Sequence, residues 1–263
     1  MSSVIIYGSL NGAAALEHIA HLGGALTTLT YCPYDHNDDA FATAFVENAW
    51  NFPNLKCLRL SLVSATWPFW ETIQNEFPNL VSLTLNVYYR VRGAPGRYVL
   101  RNLETLDIPN WEGFQLVCPS LKHLALGYST SDAVCEFVIE HGHQLESLLL
   151  PVWPKSIAFP EDFWETICPN IVTFGKDINM TTPSCPPDHP LRHLLLLSEE
   201  RLTPEIFMAK IGSFPQIQSF HIREEDLIVG TIDQLKRRCQ RKGIRLVEIV
   251  SGEEVDSSRP LGQ

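Results

Sequence analysis

The sequence predicts an α/β fold of solenoid type, with a curved parallel sheet on the concave face and helices and irregular segments on the convex face. Three observations predict it. A pattern of the form L-x-x-L-x-L recurs at a nearly constant interval. An apolar residue followed by Pro precedes that pattern in a fixed phase. A longer copy, Phe69-Trp70-Glu71-Thr72-Ile73, returns 94 residues later as Phe163-Trp164-Glu165-Thr166-Ile167.

The repeat is clearest where Phe52-Pro53-Asn54-Leu55-Lys56-Cys57-Leu58-Arg59-Leu60 returns as Phe77-Pro78-Asn79-Leu80-Val81-Ser82-Leu83-Thr84-Leu85. Further copies begin at Leu103, Leu121 and Leu145, and weaker ones at Leu26, Ile171, Leu191, Ile217 and Ile244. The mean spacing of these anchors is about 24 residues, inside the roughly 20–29 residues of leucine-rich repeats. Val4-Ile5-Ile6 lies one period earlier and suggests a further strand. Pro53, Pro78, Pro119, Pro169 and Pro215 end the preceding helix and turn the chain into the strand, because Pro cannot continue a helix.

Between strands, apolar residues at three-four spacing predict helices over 13–22, 39–50, 68–77, 131–141, 204–214 and 231–242. Pro68 and Pro204 sit where first-turn prolines belong. The interval from Leu103 to Leu121 is too short for a strand and a helix, so an extended or 3₁₀ connection is expected over 111–117. Four prolines between Pro183 and Pro190 predict a loop. A closed (β/α)₈ barrel is the rival fold, but eight units in this length need a period of about 31. Its strands would also read as continuous apolar runs. The chain is therefore read as a single repeat domain over 1–250 and a polar, disordered tail over 251–263.

Composition narrows the function. Thirty acidic against twenty basic side chains give a net charge of −10, which argues against nucleic acid as a partner, since phosphate contacts need a basic footprint. Six basic residues, Lys236, Arg237, Arg238, Arg241, Lys242 and Arg245, cluster near the last repeat. They are read as a polar cap that shields the core from water, in preference to a patch for nucleic acid or an acidic partner. Seven scattered cysteines with no C-x-x-C pair fit reduced thiols in the cytoplasm or nucleus. No apolar run is long enough for a membrane helix. Cys118 and Cys168 hold the phase occupied elsewhere by Phe52, Phe77 and Phe214, and are read as core residues. His18 and His21 lack a third ligand at suitable spacing. No phosphate-binding glycine loop or nucleophile elbow is present. No catalytic residue, cofactor or metal ligand is assigned.

Strand alternation selects a surface. If the repeating leucines point inward, their neighbours face the open side of the sheet. The candidate partner-binding residues are Arg59, Asp107, His123, Leu149, His193, Leu195, Leu197, His221 and Arg223. Leu149, Leu195 and Leu197 form an apolar patch on an otherwise polar face, the mark of a contact site. The alternative is that the Pro-rich loop over 181–190 folds across them.

The F-P-N-L-x-x-L-x-L copies at 52–60 and 77–85, with their relatives at 118–126 and 168–174, carry a resemblance over roughly residues 25–250. The chain resembles the leucine-rich-repeat region of F-box-type proteins, especially the divergent ones of basidiomycete fungi. The resemblance implies a non-catalytic module that binds a protein, as the substrate-recognition repeats of a ubiquitin-ligase receptor do; the chain is expected to be a monomer. No L-P-x-E-type F-box helix set precedes the repeats, so direct ligase recruitment is not expected. Two other readings remain open: a hydrolase-like or metal-dependent enzyme using the histidine-bearing face, and a structural repeat remnant with no specific partner.

Overall fold

The computed structural model describes residues 2–7, 12–32, 39–62, 67–87, 97–108, 115–127, 131–150, 159–198 and 201–249. The tail expected over 251–263 lies outside them, as do residues 111–114 of the connection expected over 111–117. The described chain is mixed α/β. It begins with β1 (Ser2–Tyr7), α1 (Gly12–Ile19), β2 (Leu26–Cys32), α2 (Asp39–Asn48), β3 (Cys57–Leu62), α3 (Trp67–Glu76) and β4 (Ser82–Val87). Next come the short strands β5 (Arg97–Val99), β6 (Thr105–Ile108) and β7 (Gln115–Val117). Then follow β8 (His123–Leu126), α4 (Ser131–His141), β9 (Ser147–Leu150), β10 (Thr173–Asp177), β11 (His193–Leu197), α5 (Pro204–Ile211), β12 (Ser219–Arg223), α6 (Ile232–Arg241) and β13 (Arg245–Ile249). Eleven strands form one sheet in the order β1-β2-β3-β4-β6-β8-β9-β10-β11-β12-β13. The sheet stays open, with β1 and β13 at its borders, which excludes the barrel. Each of the ten anchors lies at or just before a strand of this sheet, and Val4-Ile5-Ile6 lies in the eleventh.

The chain packs as two compact units. One comprises Met1–Leu121 and Leu126–Val134, the other Lys122–Ala125 and Cys135–Gln263. In both, the same turn starts the strand. The anchor N–H donates to the carbonyl three residues back: Leu55 to Phe52, Leu80 to Phe77 and Leu121 to Cys118, each at 3.1 Å. Leu145 to Gly142 (3.1 Å) and Ile217 to Phe214 (3.3 Å) repeat it in the second unit. Pro53, Pro78, Pro119 and Pro215 take the second position of this turn, where a φ held near −65° is required and no N–H is needed. One residue after the anchor, pairing begins: Lys56 N–H bonds Thr27 O at 2.9 Å, Val81 bonds Lys56 O at 2.8 Å, and Glu104 bonds Val81 O at 2.8 Å.

The motif's third residue ties one turn to the turn before it. Asn54 Nδ2 donates to Gly24 O (2.7 Å), Asn79 to Pro53 O (3.4 Å) and Asn102 to Pro78 O (2.8 Å). Ser120 Oγ continues the series to Arg101 O (2.8 Å). In the second unit Asn170 donates to His143 O (2.7 Å).

In the first unit the repeating leucines, Leu29, Leu58, Leu60, Leu83, Leu85 and Leu106, are buried on the helix side of the sheet. Aromatic rings from strand and helices pack there in series. Tyr31 stacks on Phe41, Phe41 on Phe45, and Phe45 meets both Phe69 and Phe77. Between β6 and β8 there is room only for β7, which pairs with β5 in a separate two-stranded sheet. Val99 N–H of β5 donates to Gln74 Oε1 of α3 at 2.7 Å.

In the second unit the copied segment behaves differently. Its first version lies in the ten-residue helix α3. Its second, Phe163–Ile167, is one wide, under-wound turn in which Cys168 N–H reaches Phe163 O at 2.8 Å. Trp164 packs edge-on against Phe174 and Phe214 and donates its indole N–H to Pro183 O at 2.8 Å. The Pro-rich segment thus lies on the helix side of the sheet. Lys176 confirms the placement. It pairs in register with Leu150 and Leu196 and so takes a core position. Its ammonium donates to Met180 O at 2.6 Å and Thr182 Oγ1 at 3.4 Å, and burial lowers its pKa to about 8.

Removing one rung of the side-chain ladder tests its contribution. Asn102→Ala should lower stability by about 1 kcal/mol, as for a typical net hydrogen bond. Asn79→Ala, whose bond is longer, should cost less. The check is the urea midpoint at unchanged slope.

Candidate recognition face

The side chains opposite the core form straight rows, because neighbouring strands pair at equivalent repeat positions. In the first unit Thr30 pairs with Arg59, Arg59 with Thr84, and Thr84 with Asp107. Arg59 and Asp107 therefore share one row, two strands or about 10 Å apart, with a threonine between them. A second row runs Thr28, Cys57, Ser82, Thr105. Thr28, Thr30, Cys57, Arg59, Ser82, Thr84 and Asp107 are half-buried, and Thr105 is buried.

In the second unit one row runs His123, Ser147, Thr173, His193, Ser219, Arg245. The next runs Ala125, Leu149, Gly175, Leu195, His221, Val247. The leucines expected to be exposed here are buried: Leu149, Leu197, and Leu195 at 1% exposure. They pack with Ala125, and Ile249 closes against them. Gly175 explains the closure. It stands in register between Leu149 and Leu195, and a Cβ there would lie 2.5 Å from Leu149 Cδ2 and 3.4 Å from Leu195 Cβ. With no side chain at 175, its two neighbours fill the gap. The Pro-rich loop is not the cover, because Trp164 and Lys176 hold it on the other side of the sheet.

The histidines are drawn into a hydrogen-bonded chain. His193 Nδ1 and Ser219 Oγ are 2.7 Å apart, and Ser219 Oγ and His221 Nε2 are 2.9 Å apart. A hydroxyl carries one proton, so at least one of the two imidazoles donates to Oγ. His221 is 3% exposed and its Nδ1 has no partner among the described residues. Burial, then the His193 and Arg245 charges, lower its pKa to about 4. Burial, with Arg245 and Arg192, also lowers that of His193. Both rings are neutral near pH 7, and Ser219 is fully enclosed. The chain ties β11 to β12 and offers no accessible nucleophile.

Arg223 is committed elsewhere. Its guanidinium donates to Asp226 (2.8 and 3.2 Å) and to Ser198 O (3.2 Å), and it pairs with Glu225 at 3.1 Å. Desolvation raises the pKa of the buried Asp226, against the arginine's pull. Of the nine candidates, Arg59, Asp107, His123 and His193 keep half-buried side chains on the face. Leu149, Leu195, Leu197 and His221 are packing residues, and Arg223 is a tether. Ser219 was not among the candidates, although its placement two residues from His221 and next to His193 in the same row was readable once the register was known.

Away from this face, His189 is set by its two bonds. Nδ1 accepts from Leu191 N–H at 3.2 Å, so Nε2 carries the proton and donates to Cys168 O at 3.0 Å. Burial lowers its pKa. Among the described residues no group of three or more His, Cys, Asp or Glu is placed to hold a metal ion, and no helix is long and apolar enough to cross a membrane. No protein-family model matches the chain, and no curated protein is similar to it.

The buried histidines set an acid limit. His221 titrates at about 4 in the fold and near 6.5 unfolded, so the unfolded chain binds more protons between those values. Its contribution is complete above pH ~6.5 and is lost as pH falls toward 4, on the order of 3 kcal/mol in all. His193 and His189 act in the same direction, while Asp226 opposes them. Urea midpoints between pH 7.5 and 5 should fall for the wild type and fall less for His221→Gln. Leu195→Ser should cost about 3 kcal/mol or more, the sum of a lost apolar side chain and a buried hydroxyl, read from the same midpoints.

Proposed function

We propose that the chain is a leucine-rich-repeat solenoid that recognises a protein partner on the strand face opposite its helices. On this reading it resembles the substrate-recognition repeats of an F-box ubiquitin-ligase receptor and is not an enzyme. The observation that carries the reading is the unshifted register from β2 to β4 and on to β6, which aligns side chains of separate repeats into rows. Such rows present a rigid, pre-ordered surface, and affinity on it would rest on a few anchors. Arg59 and Asp107 supply opposite charges in one row, and His123 and His193 supply half-buried imidazoles in another. Seven free thiols, four of them buried, fit a reducing compartment such as the cytoplasm or nucleus.

Affinity purification with mass spectrometry compares the wild type with an Arg59→Glu/Asp107→Lys variant and with a helix-face control, Glu47→Lys. The reading expects specific partners to drop at least about tenfold with the first variant and to persist with the second, since charge reversal at an interface suppresses binding. An unchanged partner set, in a variant that circular dichroism shows folded, overturns it. The alternative reading, a hydrolase, would have to draw on the hydroxyl flanked by two imidazoles, which the fold encloses. Labelling of Ser219 by a fluorophosphonate probe would establish that one.

A further inference from the structure

The two borders of the sheet are built differently. β13 carries Arg245 and Glu248, and Glu248 is held by Lys236 at 2.7 Å. Charges of this kind are the usual protection of a free strand edge. β1 reads Ser-Ser-Val-Ile-Ile-Tyr and has no charge, no Pro and no Gly. It pairs with β2 from Ser2 opposite Leu26 to Tyr7 opposite Cys32, with one bulge between Ser2 and Ser3 and a regular register from Ser3 on. Nothing among the described residues hydrogen-bonds its outer side. On its open face Ile5 is 53% and Tyr7 60% exposed, beside the half-buried Thr30 and Cys32.

We propose that β1 is a docking edge for a second copy of this chain, paired antiparallel with its own β1 across a two-fold axis. The unpaired amides and carbonyls of an edge are a template for another extended backbone. An isologous contact sets a strand against itself, so any charge near the axis would face its own copy. The absence of charge in all six residues of β1 meets that condition. A register centred on Ile5 sets Ile5 against Ile5 of the partner and Ser3 against Tyr7 on the open face. It sets Val4 against Ile6 on the core face and extends the buried layer there. β-Branched and aromatic cross-strand pairs of this kind stabilise antiparallel strands. Contact between β1 and the β13 of another copy is disfavoured, because it would oppose an uncharged edge to Arg245 and Glu248 and would not close on itself. The inference goes beyond the proposed recognition face and uses none of its residues.

Size-exclusion chromatography with light scattering across micromolar concentrations tests it, on the whole chain. The wild type should run as a dimer. Ile5→Lys/Tyr7→Lys should raise the dissociation constant by at least about tenfold, because it places like charges directly opposite. Both side chains are exposed, so its circular dichroism should be unchanged; Tyr7→Lys alone replaces it if the double variant unfolds. Arg245→Ser/Glu248→Ser at the other border should remain dimeric. Backbone amides of residues 3–7 should exchange more slowly in the wild type than in the monomeric variant. A monomeric wild type overturns the proposal. So does a dimer that survives the β1 charges, or one that the β13 variant abolishes. A monomer that binds a synthetic Ser-Ser-Val-Ile-Ile-Tyr peptide would also overturn the second copy, in favour of a foreign strand.

Discussion

The structure depends on one small turn. In repeat after repeat the anchor's N–H closes on the carbonyl three residues back, and the chain leaves the turn already aligned for strand pairing. Proline at the second position removes a donor that would have no acceptor and holds φ where the turn needs it. The next side chain then reaches back to the preceding turn, as Asn54, Asn102 and Asn170 do. Each turn therefore sets both the start of its own strand and its distance from the neighbour. Parallel strands get no help from a hairpin in choosing a register, so a device of this kind is what keeps the rows straight.

Where the turn motif lapses, side chains take over its role. Before β11 the anchor Leu191 has a histidine and not a carbonyl as acceptor, and His189 in turn bonds Cys168 O. The same region lacks a helix between β10 and β11, and its Pro-rich segment is held instead by Lys176 and Trp164. A buried ammonium in a position held by leucine in both neighbouring strands is costly unless it is bonded. Here the free carbonyl of Met180 and the Thr182 hydroxyl supply the bonds. Local irregularity in one layer is matched by a polar contact that fastens the segment replacing the missing helix.

The two units present different faces. In the first, hydroxyls, Arg59 and Asp107 stand half-buried in rows that a partner can meet. In the second, Gly175 lets Leu149 and Leu195 meet over it, and His221 is drawn under the surface with Ser219. Apolar character on a strand face therefore does not by itself make a contact patch. A single glycine in the adjoining strand converts it into packing, and the polar rows of the first unit become the better candidate surface.

The sequence by itself determined the period, the eleven strand positions, the open parallel sheet's α/β class and the placement of the helices. Helix α4 matches the expected 131–141 at both ends, and the extended connection expected before Leu121 is present as β7. These features are local: they follow from three-four spacing, from proline's fixed φ and from an interval too short for a helix. Tertiary structure alone decided which face residues stay accessible. Leu195 is buried because residue 175, twenty positions away in sequence, has no side chain. The copied Phe-Trp-Glu-Thr-Ile segment is a helix in one place and a wide, under-wound turn in the other, although its five residues are the same. In the second place Trp164 must reach Phe174, Phe214 and Pro183 at once. Burial and side-chain pairing are properties of neighbours, and in a repeat protein the neighbours come from other repeats.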